Sequence, residues 1–323
     1  MAVYTVLKPE AFVQVAEAFA LGAVKEVVPI PEGSINTNHR VGTERGRFFV
    51  RHTTVRSAED LRFEAALLAH LTESHFPSPT LVPTQQGKPF LELEGGRVTV
   101  FQWLAGEELK RPQVTPEHAE RLGLELAKMH RITQSFGGSR DNPYSAGLVR
   151  SWLAGLKGHS DDEVSVVAEE LEEHLLRADK ERNHGLEPRG VIHADLFTDN
   201  VKWLADRVGA FFDFEMACRD AYGLDVAITL NAWCFDGKYQ PELCRAFIRG
   251  YQDARPLAAV ERENLFGHAL FGAVRYTASR IRDFHLSPLP PEQLTRKDFR
   301  TYLARARALD AMGPSGLRTL LGL

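Results

Sequence analysis

Apolar positions recur along this chain with two different periods, and the switch between them divides it into elements. At helical spacing, residues 9–20 carry Phe12, Val15, Ala16 and Phe19 on one stripe with Pro9 in the first turn, which predicts a short amphipathic helix. Residues 58–72 repeat the pattern with Leu61, Ala65, Leu68 and Leu71. So do residues 116–132, with Ala119, Leu122, Leu126, Ala127 and Met129 behind a Thr115 cap, and residues 163–182, with Val166, Val167, Leu171 and Leu175. Residues 224–233, 240–253 and 264–284 read as further helices. Short β-prone runs at 27–30, 40–41, 47–52, 90–94 and 98–103 are separated by turn signals at 42–46, Gly87-Lys88-Pro89 and Gly95-Gly96-Arg97. Strands therefore dominate early and helices late. The change comes where the run Val98 to Leu104 meets Ala105-Gly106-Glu107-Glu108, so we expect one lobe over residues 1–104 and a mainly helical one over 105–323.

The stretch GVIHADLFTDNVKWLADRVGAFFDFE, residues 190–215, fits neither period throughout. Val191 and Ile192 lead into a polar segment holding His193, Asp195 and Asn200. Residues 201–204 and 208–212 then predict a hairpin with Ala205-Asp206-Arg207 as a three-residue turn. Antiparallel pairing brings Asn200 and Asp213 to the open end of that hairpin although they are thirteen positions apart. Such an amide and carboxylate form the minimal protein set for Mg²⁺, which keeps its waters and binds phosphates. Asp195 stands five residues before the amide, where the catalytic loop of a kinase keeps the carboxylate that orients an acceptor hydroxyl. His193 reads as a residue that holds the loop. Asp and Asn are ordinary turn formers one at a time, but H-x-D-x-x-x-x-N followed by a hairpin and D-F-E points to phosphoryl transfer from a nucleotide.

Upstream residues suit a nucleotide, although an ordinary polar hairpin loop, a solvated edge arginine and a surface helix carboxylate would read the same. Gly33, Ser34, Asn36 and Asn38 belong to a small polar connection whose backbone N–H groups and side chains suit phosphate oxygens. Arg51 ends the apolar run Phe48-Phe49-Val50, and Glu64 lies in the helix that follows, a strand cation and helix carboxylate spaced to position phosphates. Gln102, Trp103 and Leu104 are candidates for backbone contacts to a purine. A chain of 323 residues with 44% hydrophobic positions can build two cores, and a net charge of −4 argues against a general nucleic-acid binder and for a small-molecule partner. Cys218, Cys234 and Cys244 show no C-x-x-C spacing, and no signal or membrane-spanning segment is visible, so a cytoplasmic protein is expected.

The residues gathered so far carry a resemblance. GVIHADLFTDN, FFDFEMA, DVAITLNAWCF from Asp225 to Phe235, EGSINTN from Glu32 to Asn38, and R-x-x-x-x-R-x-x-D from Arg275 to Asp283 resemble the homoserine kinases of the aminoglycoside-phosphotransferase-like superfamily. The resemblance spans nearly the whole chain. It implies an α+β, two-lobed protein-kinase-like fold, with an N-lobe of antiparallel sheet plus helix and a mainly helical C-lobe. It also implies ATP and Mg²⁺ as cofactors, an amino alcohol as acceptor and a place in threonine biosynthesis. By that likeness Asp195 is the base, Asn200 and Asp213 the metal ligands, Arg51 the phosphate cation and Glu64 its partner. Ile35, Thr198 and Glu215 depart from the pattern and bear on the substrate. Homoserine is a zwitterion, for which Glu215 and Asp225 are candidate ammonium acceptors and Arg275 or Arg280 candidate carboxylate ligands. On one helix these arginines point roughly 140° apart. Choline, ethanolamine and aminoglycoside kinases share the central motif, and an inactive nucleotide-binding scaffold is the alternative from another class.

Overall fold

The computed structural model describes residues 7–30, 36–93, 95–183, 185–288 and 297–323. Gly33, Ser34 and Ile35 lie outside them. The chain separates into two compact units, one of Met1–Ala105 with Leu289–Thr295, the other of Gly106–Pro288 with Arg296–Leu323.

In the first unit, α1 (Pro9–Ala18) precedes β1 (Val24–Ile30), β2 (Thr37–Thr43) and β3 (Gly46–Thr53), which are followed by α2 (Ala58–Glu73), β4 (Leu81–Val82), β5 (Leu91–Leu93) and β6 (Gly96–Gln102). The sheet is antiparallel in the order β1-β2-β3-β6-β4, with β5 also on β6. Alternation along β3 sorts its side chains. Phe48 and Val50 join Phe12 and Val15 of α1, Phe19 just after it, and Val98 and Val100 of β6 in one apolar core. Arg51, the next residue, pairs across to Thr99 and points the other way. The β2–β3 turn is tighter than the five residues expected, because both strands run on until only Glu44 and Arg45 remain between them. Strand β2 likewise begins at Thr37, so Asn38 is a strand residue opposite Ile30 and Arg51 rather than part of a loop. Ser57 and Asp60 form a reciprocal cap that fixes the start of α2.

The second unit contains α3 (Pro116–Thr133), α4 (Ala146–Leu156) and α5 (Asp162–Glu181), then β7 (Arg189–Ile192), β8 (Val201–Leu204), β9 (Arg207–Phe211) and β10 (Cys218–Ala221). Helix α6 (Tyr222–Trp233), the small ribbon β11 (Phe235–Asp236) and β12 (Lys238–Tyr239), α7 (Pro241–Ala254), α8 (Ala259–Arg280) and α9 (Arg300–Leu321) complete it. Every residue of α6 is buried, which explains its lack of an amphipathic stripe. Helix α3 packs along α7, and α8 packs against α5, α6 and α9. Helix α8 starts five residues before the predicted element and ends in one π-helical turn, Ile281–His285. The hairpin β8–β9 has a two-residue turn instead of three, since Ala205 adopts a left-handed φ of 51° and Leu204 pairs directly with Arg207. No helix among the described residues is long and apolar enough to cross a membrane.

Candidate active site

The segment after β7 is fixed from below by α6. Asp225 is fully buried, and its Oδ2 accepts the backbone N–H of His193 at 2.8 Å while Oδ1 accepts that of Ala194 at 2.8 Å. His130 of α3 lies 2.9 Å from Oδ2 through Nε2, and its Nδ1 lies 2.8 Å from the Tyr251 hydroxyl on α7. Burial lowers the His130 pKa against the pull of Asp225, so the neutral ring donates to Asp225 and accepts from Tyr251. Burial alone would raise the Asp225 pKa, but the bonds from His130 and His193 bring it below the usual carboxylate range. The expected ammonium-binding role of Asp225 is therefore overturned: both oxygens already hold backbone and imidazole donors. Trp233, at the end of the same helix, donates its indole N–H to the Leu196 carbonyl at 3.0 Å. Two side chains eight residues apart on α6 thus clamp both sides of Asp195.

Asp195 is half-buried and carries two donors. The Tyr276 hydroxyl on α8 donates to Oδ1 at 2.7 Å, and Asn200 Nδ2 lies 3.3 Å from Oδ2 and 2.7 Å from the Asp195 carbonyl. Burial raises the Asp195 pKa, partly opposed by the Tyr276 bond and by Lys297 and Arg275. Tyr276, Lys297, His130 and Trp233 were not assigned to the site from sequence. Tyr276 lies next to Arg275, within a helix whose period places core residues but does not reveal that this tyrosine turns toward the loop.

Phe212 joins the two halves of the constellation. Its N–H donates to the Asn200 carbonyl at 3.0 Å, and its own carbonyl lies 3.0 Å from His193 Nε2. His193 is fully buried and its pKa is lowered by burial, so Nε2 is the donor of a neutral ring. Asp213, one residue past this doubly tied position, has a left-handed φ of 64° and is exposed. The hairpin thus brings Asn200 and Asp213 to one end, as the pairing requires. Because Asn200 turns its amide nitrogen to Asp195, its carbonyl oxygen is the atom left for a cation. Among the described residues no group of three His, Cys, Asp or Glu forms a metal cluster. One amide oxygen beside one exposed carboxylate is the donor set of a hard, largely hydrated cation.

The remaining predicted residues fall as follows. Glu215 is buried in the single turn Phe214–Met216 that follows Asp213, and its carbonyl accepts from Arg140 at 2.5 Å. Arg275 is buried between Tyr144 and Tyr276. Arg280 donates to the Asp298 carbonyl at 3.1 Å and to Thr301 Oγ1 at 2.6 Å and lies over Tyr302. In the first unit, Arg51 donates to Glu64 Oε2 at 2.6 Å and to Thr99 Oγ1 at 3.3 Å, and Arg56, not singled out from sequence, also bonds Glu64. Burial would raise the Glu64 pKa, yet the two arginines depress it to about 2. The backbone N–H groups of Gln102 and Trp103 are donated to the carbonyls of Thr80 and Arg47, at 2.9 and 3.2 Å.

Residues 26–259 match the phosphotransferase enzyme family. Homoserine kinase of Sinorhizobium medicae is 34% identical, with 98% of each chain covered. Homoserine kinase of Xanthobacter autotrophicus is 33% identical over 98% of this chain and 99% of its own. Among solved structures, an amicoumacin kinase in complex with AMP-PNP, Ca²⁺ and Ami superposes with a TM-score of 0.74 at 16% identity, covering 95% of this chain and 94% of the other. A microcompartment-associated aminopropanol kinase superposes with a TM-score of 0.67 at 19% identity, covering 94% and 98%.

Proposed function

Because this chain belongs to the phosphotransferase enzyme family, and is a full-length relative of its homoserine kinases, we infer that it transfers the γ-phosphate of ATP to the side-chain hydroxyl of L-homoserine. The observation that carries the acceptor is 34% identity spread over 98% of the chain. What supports the chemistry is the loop held by Asp225, in which Asp195 presents a carboxylate beside Asn200.

Asp195 orients the acceptor hydroxyl and takes its proton as the new bond to the γ-phosphorus forms and that phosphorus parts from the bridging oxygen, which leaves with ADP. A pKa raised by burial suits this task, since it moves the base toward working pH while Tyr276 and Asn200 fix the direction of its oxygens. Asn200 and Asp213 would hold Mg²⁺, which supplies charge neutralisation on the phosphates when bound. Arg51, steadied by Glu64 and Thr99, offers a planar cation to phosphate oxygens. At the end of β6, the carbonyls of Gln102 and Trp103 can accept from a purine, and the donor falls to Leu104. Asn36 and Asn38, with Gly33 and Ser34, remain candidates beside the phosphates, and Glu215 remains a candidate for the acceptor's ammonium. Use of ATP and three free, buried cysteines fit a cytoplasmic setting.

Measurement of ADP release with homoserine, choline, ethanolamine and an aminoglycoside tests the proposal. Homoserine is expected to be the best acceptor. Asp195→Ala should abolish turnover while leaving ATP affinity intact. Activity with a competitor and none with homoserine rejects the acceptor, and unchanged turnover in the variant removes Asp195 from the chemistry.

A further inference from the structure

Helix α8 carries a charge beside Asp195 that phosphoryl transfer alone does not explain. Arg275 is 2% exposed, yet its Nη1 meets no hydrogen-bond acceptor among the described residues. Its guanidinium carbon lies 4.4 Å from the ring centre of Tyr144 and 4.8 Å from that of Tyr276. Tyr276 in turn donates to Oδ1 of Asp195 at 2.7 Å, so a single side chain separates the guanidinium from the candidate base.

Aromatic faces favour a cation, but they accept no conventional hydrogen bond. Interiors pair buried charged donors, because leaving one unbonded is costly. Burial acts to neutralise Arg275, but the nearby Asp195 carboxylate acts against it, and its pKa stays above the usual arginine value. The other arginine considered for this role is already engaged: Arg280 donates to Asp298 and Thr301 and stacks on Tyr302. Among the charged groups acting most strongly on Asp195 are Lys297 and Arg275, both cations. Such surroundings disfavour a polycationic acceptor and favour one bearing an anion.

Resting on the reading that the acceptor is homoserine, we propose that Arg275 binds the acceptor's carboxylate, so that the enzyme selects hydroxy amino acids over amino alcohols that lack this group. The guanidinium fork matches a carboxylate in geometry as well as charge. It lies one side chain from Asp195, which suits an acceptor whose hydroxyl and carboxylate are a few bonds apart.

The test compares L-homoserine with 3-amino-1-propanol, which differs from it only by loss of the carboxylate. Wild-type enzyme should favour homoserine strongly in kcat/KM. Arg275→Gln should lower kcat/KM for homoserine relative to that for 3-amino-1-propanol by about 100-fold or more. Arg275→Lys should fall between, since a point charge attracts a carboxylate without matching it. Inhibition by L-2-aminobutyrate, which keeps the carboxylate and lacks the hydroxyl, should weaken in step with homoserine. Because both acceptors are read in one variant, the ratio of their kcat/KM values does not depend on the fraction of enzyme that is folded. Equal losses, or no loss, in an enzyme that phosphorylates homoserine overturn this proposal alone. A wild-type enzyme inactive toward homoserine overturns it together with the function on which it rests.

Discussion

Ala194, immediately before the candidate base, is held at a φ of 62°, a conformation that L-residues with a Cβ avoid. Such a residue costs on the order of 1–3 kcal/mol and persists only where its surroundings dictate it. Here the dictating group is Asp225, which accepts the N–H groups of both Ala194 and His193. Asp225→Asn should therefore be severe despite its small change in size: an amide keeps one acceptor oxygen and turns an NH₂ toward a donor. We expect stability to fall by about 3 kcal/mol, read by denaturant melting, and kcat to fall by roughly 100-fold as the base is misplaced. An unchanged kcat in a folded variant would show that the loop holds its shape without this carboxylate. The sequence marked Asp225 as chemically significant but suggested the wrong partner. Its donors stand 31, 32 and 95 positions away, at Ala194, His193 and His130, and no local pattern announces them.

Helices α3 and α7 meet backbone to backbone, and two glycines make that possible. A Cβ on Gly123 would fall 2.1 Å from the Phe247 carbonyl oxygen, and one on Gly250 would fall 1.9 Å from that of Glu120. The same contact carries His130 on one helix and Tyr251 on the other. Gly250→Ala should force the pair apart, destabilising the fold by about 1–3 kcal/mol in a denaturant titration and loosening the support under Asp225. Wild-type stability in that variant would mean the helices can separate at little cost. Apolar periodicity located both helices to within a residue or two, because their buried stripes repeat over several turns. It cannot show that a glycine within such a stripe touches a neighbouring backbone. The apolar pattern does not announce helices α4 and α9. The first follows a turn-rich stretch, and the second contains Gly313 and Pro314, which read as a stop but form a kink, Gly313 having a φ of 68°. The hairpin turn is one residue shorter than its pattern predicts, because nothing in that pattern reveals that Ala205 turns left-handed.

For the molecule as a whole, acid resistance is set in part by the buried triad Arg51–Glu64–Arg56 of the first unit. The Glu64 pKa falls from 4.5 to about 2 on folding, so the folded state binds its proton less readily than the unfolded chain. The stabilisation is therefore fully present above pH 4.5 and is lost as pH drops toward 2, an amount of roughly 3 kcal/mol. Urea midpoints measured from pH 6 downward should show this loss in the wild type. Glu64→Gln should be less stable at neutral pH, with a shallower decline in acid; parallel curves would contradict the linkage. The contrast between a strand-rich beginning and a helix-rich remainder was readable because apolar period and turn chemistry both change along the chain. The candidate site was legible mainly between residues 190 and 215, where local spacing sets geometry through one hairpin. Synthesis from the N-terminus has a consequence for that hairpin. A nascent chain with Glu215 just clear of the ribosome already displays Asp195, Asn200 and Asp213, but Asp225 is still inside the exit tunnel. The loop can acquire its shape only after translation has passed the helix that grips it.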